Sequence, residues 1–308
     1  MAVHPPPRKT SVSDPDASAA APPPRVSLVL PVHNGADFLE AALASIAAQR
    51  FADYELICVD DASSDASPRI LAAAAARDSR IRVIRLDRNV GLPAALNRGF
   101  AAARGELFSW TSDDNLLRPH MLERLVAALD AAPDADIAHS DFTVINPAGE
   151  TIGFVEVRSA DKLLMGNEIG ASFLYRRAVD YALGGYDTGL FGAEDYDFWL
   201  RASAHFRFLR VAEDLYLYRK HPKSLTNSRA ATIQALTTEV VLRAMPARLP
   251  RRDRAAVLLN QYRRNHFKLR LDLLARAAMA APLLTLGQSP RLVWHGVRAL
   301  RQGWRRNM

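Results

Sequence analysis

An apolar run rich in β-branched residues, Val26–Val32, opens the patterned part of the chain, and a turn at Gly35 leads into a helix-like stretch from about Ala36 to Gln49. The alternation then repeats. Tyr54–Asp60 reads as a strand and Ser64–Arg77 as a helix, with Asp61, Ser63 and Ser64 supplying capping oxygens. Ile81–Leu86 reads as a third strand, and Leu92–Ala103 as a helix stopped by glycine at Arg104-Gly105. Leu107–Thr111 follows as a fourth strand, and Pro119–Ala131 as a helix with Leu122, Leu125, Val126 and Leu129 at helical spacing. Continuous apolar strands separated by helices predict an α/β fold with a mainly parallel sheet covered on both faces.

The ends of the chain read differently. Residues 1–24 are Pro, Ala and Ser with scattered charges, too few apolar side chains to offset the entropy of ordering, and predict a disordered leader. Beyond Ile137 the apolar runs shorten and a Gly184-Gly185 break intervenes, so a less regular second half is expected. After about Ser228 the pattern is helical only, rich in Ala, Leu and Arg. The expected division is a leader over 1–24, an α/β domain over 25–228 and a basic helical region over 229–308.

Composition adds two constraints. The formal net charge of +7 is unevenly spread: residues 241–308 hold 15 Lys and Arg against 2 Asp, leaving the remainder at −6. The main body is therefore mildly acidic, and with no recognised reading motif it is not expected to bind nucleic acid. Cys58 is the only cysteine, which excludes an intrachain disulfide and a cysteine zinc site and fits a reducing compartment. No apolar segment follows the N-terminus, so no secretory signal is predicted and a cytoplasmic location is expected.

In an open α/β sheet, ligands bind beyond the carboxyl ends of the strands. Those ends carry His33-Asn34, Asp60-Asp61, Asp87-Arg88-Asn89 and Ser112-Asp113-Asp114. Any one of them is ordinary loop chemistry; four in succession predict a shared crevice. Neither a G-x-G-x-x-G after the first strand nor a G-x-x-x-x-G-K-[ST] is present, which argues against a dinucleotide oxidoreductase and a P-loop NTPase. Paired carboxylates at Asp113-Asp114 suit a hard divalent cation, Mg²⁺ or Mn²⁺, that bridges a diphosphate. Asp114 alone also reads as a cap on the helix after Asn115, but that reading does not extend to both carboxylates.

In chain order, VSLVLPVHNGADFLEAALASIAAQ, YELICVDDASSDAS, RNVGLPAALNRGFAAARGE, TSDDNLLRP, GAEDYDFWLR and YRKHPKSLT resemble the motifs of family 2 glycosyltransferases with the GT-A fold, from about Val26 to Asn227. The resemblance implies inverting transfer of a sugar from a nucleotide-diphosphate donor, UDP favoured and dTDP or GDP on the same scaffold, to an acceptor hydroxyl in glycan or cell-envelope polysaccharide synthesis. It implies donor contacts from Pro31, Val32, His33, Asn34, Asp60, Arg88, Asn89, Ser112 and Asp113, metal ligation by Asp113 and His221, and Asp195 as the catalytic base. Glu194 and Asp114 fall in supporting or acceptor-side positions, and Glu194-Asp195 also suit a helix N-terminus. The family's first D-x-D aspartate is replaced by Thr111, whose hydroxyl is expected to reach the ribose. Ser172 and Tyr175 are candidates for the acceptor wall, while Phe198 and Trp199 read as helix core rather than a sugar platform.

In the tail, Trp294 and Trp304 among Arg291, Arg298, Arg301, Arg305 and Arg306 read as an interfacial helix drawn to anionic lipid at the inner face of the plasma membrane. The longest uncharged stretch, Ala277–Pro290, is too short to span a bilayer. The competing function class is a non-catalytic nucleotide-sugar-binding or scaffold protein on the same fold; Asp113, Asp195 and His221 together disfavour it.

Overall fold

The computed structural model describes residues 22–288 and Leu292. The leader as far as residue 21, and the tail's Trp294, Trp304, Arg291, Arg298, Arg301, Arg305 and Arg306, lie outside the described residues. In chain order the elements are β1 Val26–Val32, α1 Ala36–Ala47, β2 Tyr54–Asp60, α2 Ser67–Arg77, β3 Ile81–Arg85, α3 Leu92–Ala101, β4 Leu107–Trp110, β5 Leu116–Leu117 and α4 Met121–Ala131. The second half adds β6 Ile137–Ile145, β7 Thr151–Val155, β8 Phe173–Arg176, α5 Arg177–Leu183, α6 Glu194–Ala202 and β9 Phe208–Arg219. Helices α7 Leu225–Ser228, α8 Ala230–Ala244, α9 Arg251–Arg264, α10 Leu271–Ala280 and α11 Pro282–Gly287 follow.

Among the described residues the strands form one nine-stranded sheet, ordered β3-β2-β1-β4-β8-β6-β9-β5 with β7 alongside β6. The first four are parallel, as the repeated strand–helix pattern demands. Register pairs Val32 with Asp60 across β1 and β2, and Val29 with Trp110 across β1 and β4, so these strands end at one rim. The second half departs from the parallel expectation: β8 runs antiparallel to both β4 and β6. At four residues it is too short to betray its direction by pattern.

Alternation along β1 sends Leu28, Leu30 and Val32 to a face covered by α1 and α4, through Leu39, Leu122 and Leu125. Val29 faces the other side with Ile57, Val59 and Phe100. That layer continues into Tyr175, Tyr186, Phe198 and Trp199, so the α6 aromatics are core, as read from the sequence. Val240 and Val241 of α8 and Val257 of α9 join the same cluster, while α9 and α10 share a further one around Leu258, Leu259 and Leu273. The helical region is thus seated on the α/β body through buried side chains.

Three local expectations need correction. Helix α2 begins at Ser67, and Asp61, Ser63 and Ser64 do not cap it; they bond neighbouring loops instead. Helix α3 ends at Ala101 without using Gly105. Gly105 lies against β1, where a Cβ would meet the Ser27 amide nitrogen at 2.6 Å, so the glycine serves close packing rather than a helix stop.

Candidate active site

Two adjoining cavities open at the strand rim. The first, about 360 Å³, is walled by the loop after β1 (Pro31, Val32, His33, Asn34), by Asp61 and Asn89, and by Ser112, Asp113 and Asp114 after β4. The β1 loop is held from beneath. His33 Nδ1 lies 2.7 Å from the Asp61 carbonyl, which can only accept, so Nδ1 carries the proton and Nε2 is left to accept from the Asn34 amide at 3.2 Å. Asn34 takes a left-handed backbone (φ 55°), tolerated because its Oδ1 accepts from the Ser64 amide and its own N–H donates to Ser63 Oγ. Asp113 rises against Gly35, where a Cβ would sit 1.9 Å from Oδ2; only glycine leaves room for the carboxylate. Burial, and then the charge of Asp114, push the Asp113 carboxyl up to about 7.

The second strand's pair divides its work. Asp60 is fully buried outside the cavity wall; it accepts the Ser63 amide at 3.0 Å and has Arg85 Nε at 3.5 Å from its other oxygen. Asp61 is in the wall and accepts the amides of Val90 and Gly91 at 2.7 and 2.9 Å, folding the Asn89 loop against the site. Asn89 is therefore placed in the wall, whereas Arg88 is exposed and outside it. The anchoring role of Asp61 has no spacing signature in the sequence.

After β4 the polypeptide bends around Arg219. Its amide donates to Asn115 Oδ1 at 2.7 Å, its Nε donates to the Asp114 carbonyl at 2.8 Å, and its guanidinium covers the Phe38 ring at 4.7 Å. The turn so fixed presents Asp114 Oδ2 to His221 Nε2 at 2.9 Å. His221 was grouped with Asp113 from the sequence; the structure pairs it with Asp114. Thr111 is not available to a ribose: it is buried, and its hydroxyl bonds Tyr216 Oη at 2.7 Å.

Among the described residues no three His, Cys, Asp or Glu side chains converge on one metal position. The groups nevertheless fit a divalent cation held jointly with a diphosphate. Asp114 Oδ1 is buried with no hydrogen-bond partner, Asp113 is adjacent, and Mg²⁺ or Mn²⁺ is commonly bound through one or two carboxylates plus substrate phosphates.

The second cavity, about 300 Å³, has an aromatic wall of Trp110, Phe173, Tyr216 and Tyr218 and a carboxylate edge at Glu194 and Asp195. Both acids start α6, where the helix N-terminus favours negative charge. Asp195 accepts the Tyr196 amide at 2.7 Å and Asn167 Nδ2 at 2.8 Å. Burial raises its pKa despite those donors; Glu194 is raised by its own burial and by Asp195. Glu194 is buried and accepts the Gly192 amide, both residues lining the same cavity. Ser172 and Tyr175 are not in this wall: both are fully buried, Ser172 bonded to the Ser140 hydroxyl at 2.6 Å. Asn167 was missed, since an asparagine in a loop without regular pattern carries no signal of its own.

The two cavities share Leu92, Ser112, Asp114, Ser224 and Leu225, so a molecule filling one abuts a molecule filling the other. Asp113 stands in the first and Asp195 in the second.

The family model for Glycosyl transferase family 2 matches residues 27–184. The O-antigen biosynthesis protein RfbC of Myxococcus xanthus is 32% identical over 76% of this chain, and the succinoglycan biosynthesis protein ExoO of Rhizobium meliloti is 38% identical over 42%. These alignments span only 18% and 36% of those relatives' own lengths. An uncharacterized glycosyltransferase of Rickettsia typhi is 31% identical over 67% of both chains. Among solved structures, S. aureus TarS 1–349 in complex with UDP-GlcNAc superposes with a TM-score of 0.67 at 19% identity, covering 91% of this chain and 89% of that one. The mannosyltransferase PcManGT of Pyrobaculum calidifontis, in complex with GDP-Man and Mn²⁺, gives 0.62 at 19% identity, covering 92% and 88%. The fold is that of the GT-A glycosyltransferases, and the chain belongs to glycosyl transferase family 2.

Proposed function

We propose that the chain is an inverting glycosyltransferase that takes a nucleotide-diphosphate sugar into the first cavity and an acceptor hydroxyl into the second. The observation that carries this reading is the shared wall: Ser112 and Asp114 belong to both cavities, which is where an anomeric carbon must meet its nucleophile. The nucleobase and ribose lie against Pro31, Val32, His33, Asn34 and Asn89. The diphosphate lies over Asp113 and Asp114, the residues that would hold a divalent cation, which would supply positive charge to the leaving group. His221, in the wall of the same cavity, fixes Asp114.

Asp195 accepts the proton of the acceptor hydroxyl as its oxygen bonds to the anomeric carbon. The carbon–oxygen bond to the diphosphate breaks, and the electron pair leaves with the nucleoside diphosphate. Attack from the face opposite the leaving group inverts the anomeric centre. A raised carboxyl pKa matches a base closer to neutral pH, and the aromatic wall suits the apolar face of a sugar ring.

The relatives named for O-antigen and succinoglycan biosynthesis support a glycan acceptor in polysaccharide synthesis, free or lipid-linked. Neighbours solved with UDP-GlcNAc and with GDP-Man and Mn²⁺ support a nucleotide-sugar donor and a divalent cation. No helix among the described residues is long and apolar enough to cross a membrane. Contact with an anionic membrane surface is supported by Leu271, Met279, Leu283 and Leu286, all exposed on α10 and α11 within the basic 241–308 segment. A thermal-shift screen of UDP, dTDP and GDP with and without Mn²⁺ tests the donor reading, since a bound ligand raises the melting temperature by mass action. No shift with any of the three contradicts it.

A further inference from the structure

Asp195 takes one of its two hydrogen bonds from its own helix, through the Tyr196 amide, and the other from Asn167, which stands on a loop 28 positions earlier. That loop is held from outside the α/β body. Asn260 Nδ2 and Arg264 Nη1, both on α9, donate to the carbonyl of Met165 at 2.6 and 3.1 Å. The guanidinium of Arg264 also lies against Gly166, where a Cβ would come within 2.9 Å of Nη1, so the loop passes directly beneath it. Two residues beyond Met165 is Asn167. At its other side the loop is tied to α6 itself, Tyr196 Oη donating to the Leu163 carbonyl. Helix α9 is anchored independently, with Val257 in the core of the body and Leu258 and Leu259 packed on α10.

We propose that Asn260 and Arg264 are positioning residues for the reaction: they fix the Met165–Asn167 loop so that the Asn167 amide holds the Asp195 carboxylate at the second cavity. The inference rests on the reading of Asp195 as the base. It gives the helical region, which lies beyond the residues 27–184 matched by the family model, a positioning role in the reaction. Without the anchor, Asp195 keeps its helix but loses the bond that sets its rotamer, and misplacement of about an ångström costs on the order of a hundredfold in rate.

The test compares Asn167→Ala, Asn260→Ala with Arg264→Ala, and the triple variant, in steady-state transfer assays with the donor found in the nucleotide screen. The expected result is a fall in kcat of about ten- to a hundredfold in each, with donor KM within about twofold of parental, and no further loss in the triple variant, because all act through one bond. Arg264→Lys, which keeps a donor near Met165, should recover most of the activity lost in Arg264→Ala. Losses that multiply in the triple variant, or parental kcat in the α9 variants, overturn the proposal. Should the α9 double variant fail to fold, Asn167→Ala and the Arg264 pair, both exposed substitutions, decide it. Parental activity in Asp195→Asn defeats the base assignment itself; an inactive Asp195→Asn beside fully active Asn167 and α9 variants defeats only the positioning role.

Discussion

His221 Nε2 lies 2.9 Å from Asp114 Oδ2 across 107 residues of chain, tying the segment after β9 to the turn after β4. The imidazole packs against Phe38 of α1 at 5.0 Å between ring centroids, so its position is fixed by packing as well as by the carboxylate. His221→Ala removes the hydrogen-bond partner of a proposed diphosphate-and-metal carboxylate from the wall of the same cavity, and partners of metal-holding carboxylates typically contribute ten- to a hundredfold in metal affinity. Titration of Mn²⁺ against the nucleotide-bound protein should show a weakening of about that size. An unchanged Mn²⁺ affinity contradicts the role.

Gly35→Ala reaches Asp113 without altering it chemically. The new Cβ would fall 1.9 Å from Asp113 Oδ2, so the carboxylate must turn away. Loss of Mn²⁺-dependent stabilisation by the cognate nucleotide should match that of Asp113→Asn, the fold being retained in both. A Gly35→Ala protein that binds nucleotide and metal as the parent does contradicts the placement of Asp113.

Stability has its own marker in Gly99 of α3. A Cβ there would meet Val29 Cγ1 at 2.4 Å and Val59 Cγ2 at 3.2 Å, both buried branched side chains of the central strands. Overpacking of this kind costs about 1–3 kcal/mol. Denaturant unfolding of Gly99→Ala should give a lower midpoint with an unchanged slope.

The central strands of the first half were legible because β1, β2 and most of β4 are buried on both faces and the helices between them carry one apolar face, so residue type follows position; β3, at the sheet edge, is half exposed. Val26–Val32 and Tyr54–Asp60 appear with the boundaries that their apolar runs define. The antiparallel β8 was not legible, since four residues carry no directional signal. At the site, Asp113 lines the first cavity and Asp195 the second. What spacing does not reveal is which neighbour a side chain finds: Asp61 on the Val90-Gly91 amides, Thr111 on Tyr216, His221 on Asp114, and Asn167 on Asp195. Those pairings depend on loop paths, and loops are set by tertiary hydrogen bonds rather than by periodicity.

The exposed α10–α11 face gives a test of membrane contact. Replacing Met279, Leu283 and Leu286, all more than half exposed, with glutamate should reduce sedimentation with phosphatidylserine-containing vesicles while leaving the fold intact. Charge reversal at Arg301, Arg305 and Arg306 should do the same, and added salt should weaken binding of the intact chain. Equal sedimentation of all three proteins contradicts the lipid reading.

Burial sets the sign of the pH dependence. The Asp195 carboxyl is raised above the ordinary carboxylate range, so as pH falls through that raised value the base is protonated and turnover is lost, roughly tenfold per pH unit once well below it. Stability runs the other way. The folded chain holds protons at Glu194 and Asp195 that the unfolded chain has already released, so folding stability contributed there is present at low pH and declines as pH rises through the raised values. A profile of kcat/KM from acid to neutral pH should show its acid limb above about 4, the ordinary carboxylate value. A limb at or below that value contradicts the burial argument.

The central claim is that Asp195 takes the acceptor's proton, and it is tested most directly by the transfer rate of Asp195→Asn. Asparagine keeps the shape and can still accept a hydrogen bond where the carboxylate accepts from Tyr196, but it has no basic oxygen. Loss of general-base catalysis typically costs on the order of 10²–10⁴ in rate. The account predicts a kcat reduced by that much, with nucleotide-sugar binding and its Mn²⁺ response retained, because those rest on the other cavity. Sugar transfer by a folded Asp195→Asn protein at close to the parental kcat would contradict it.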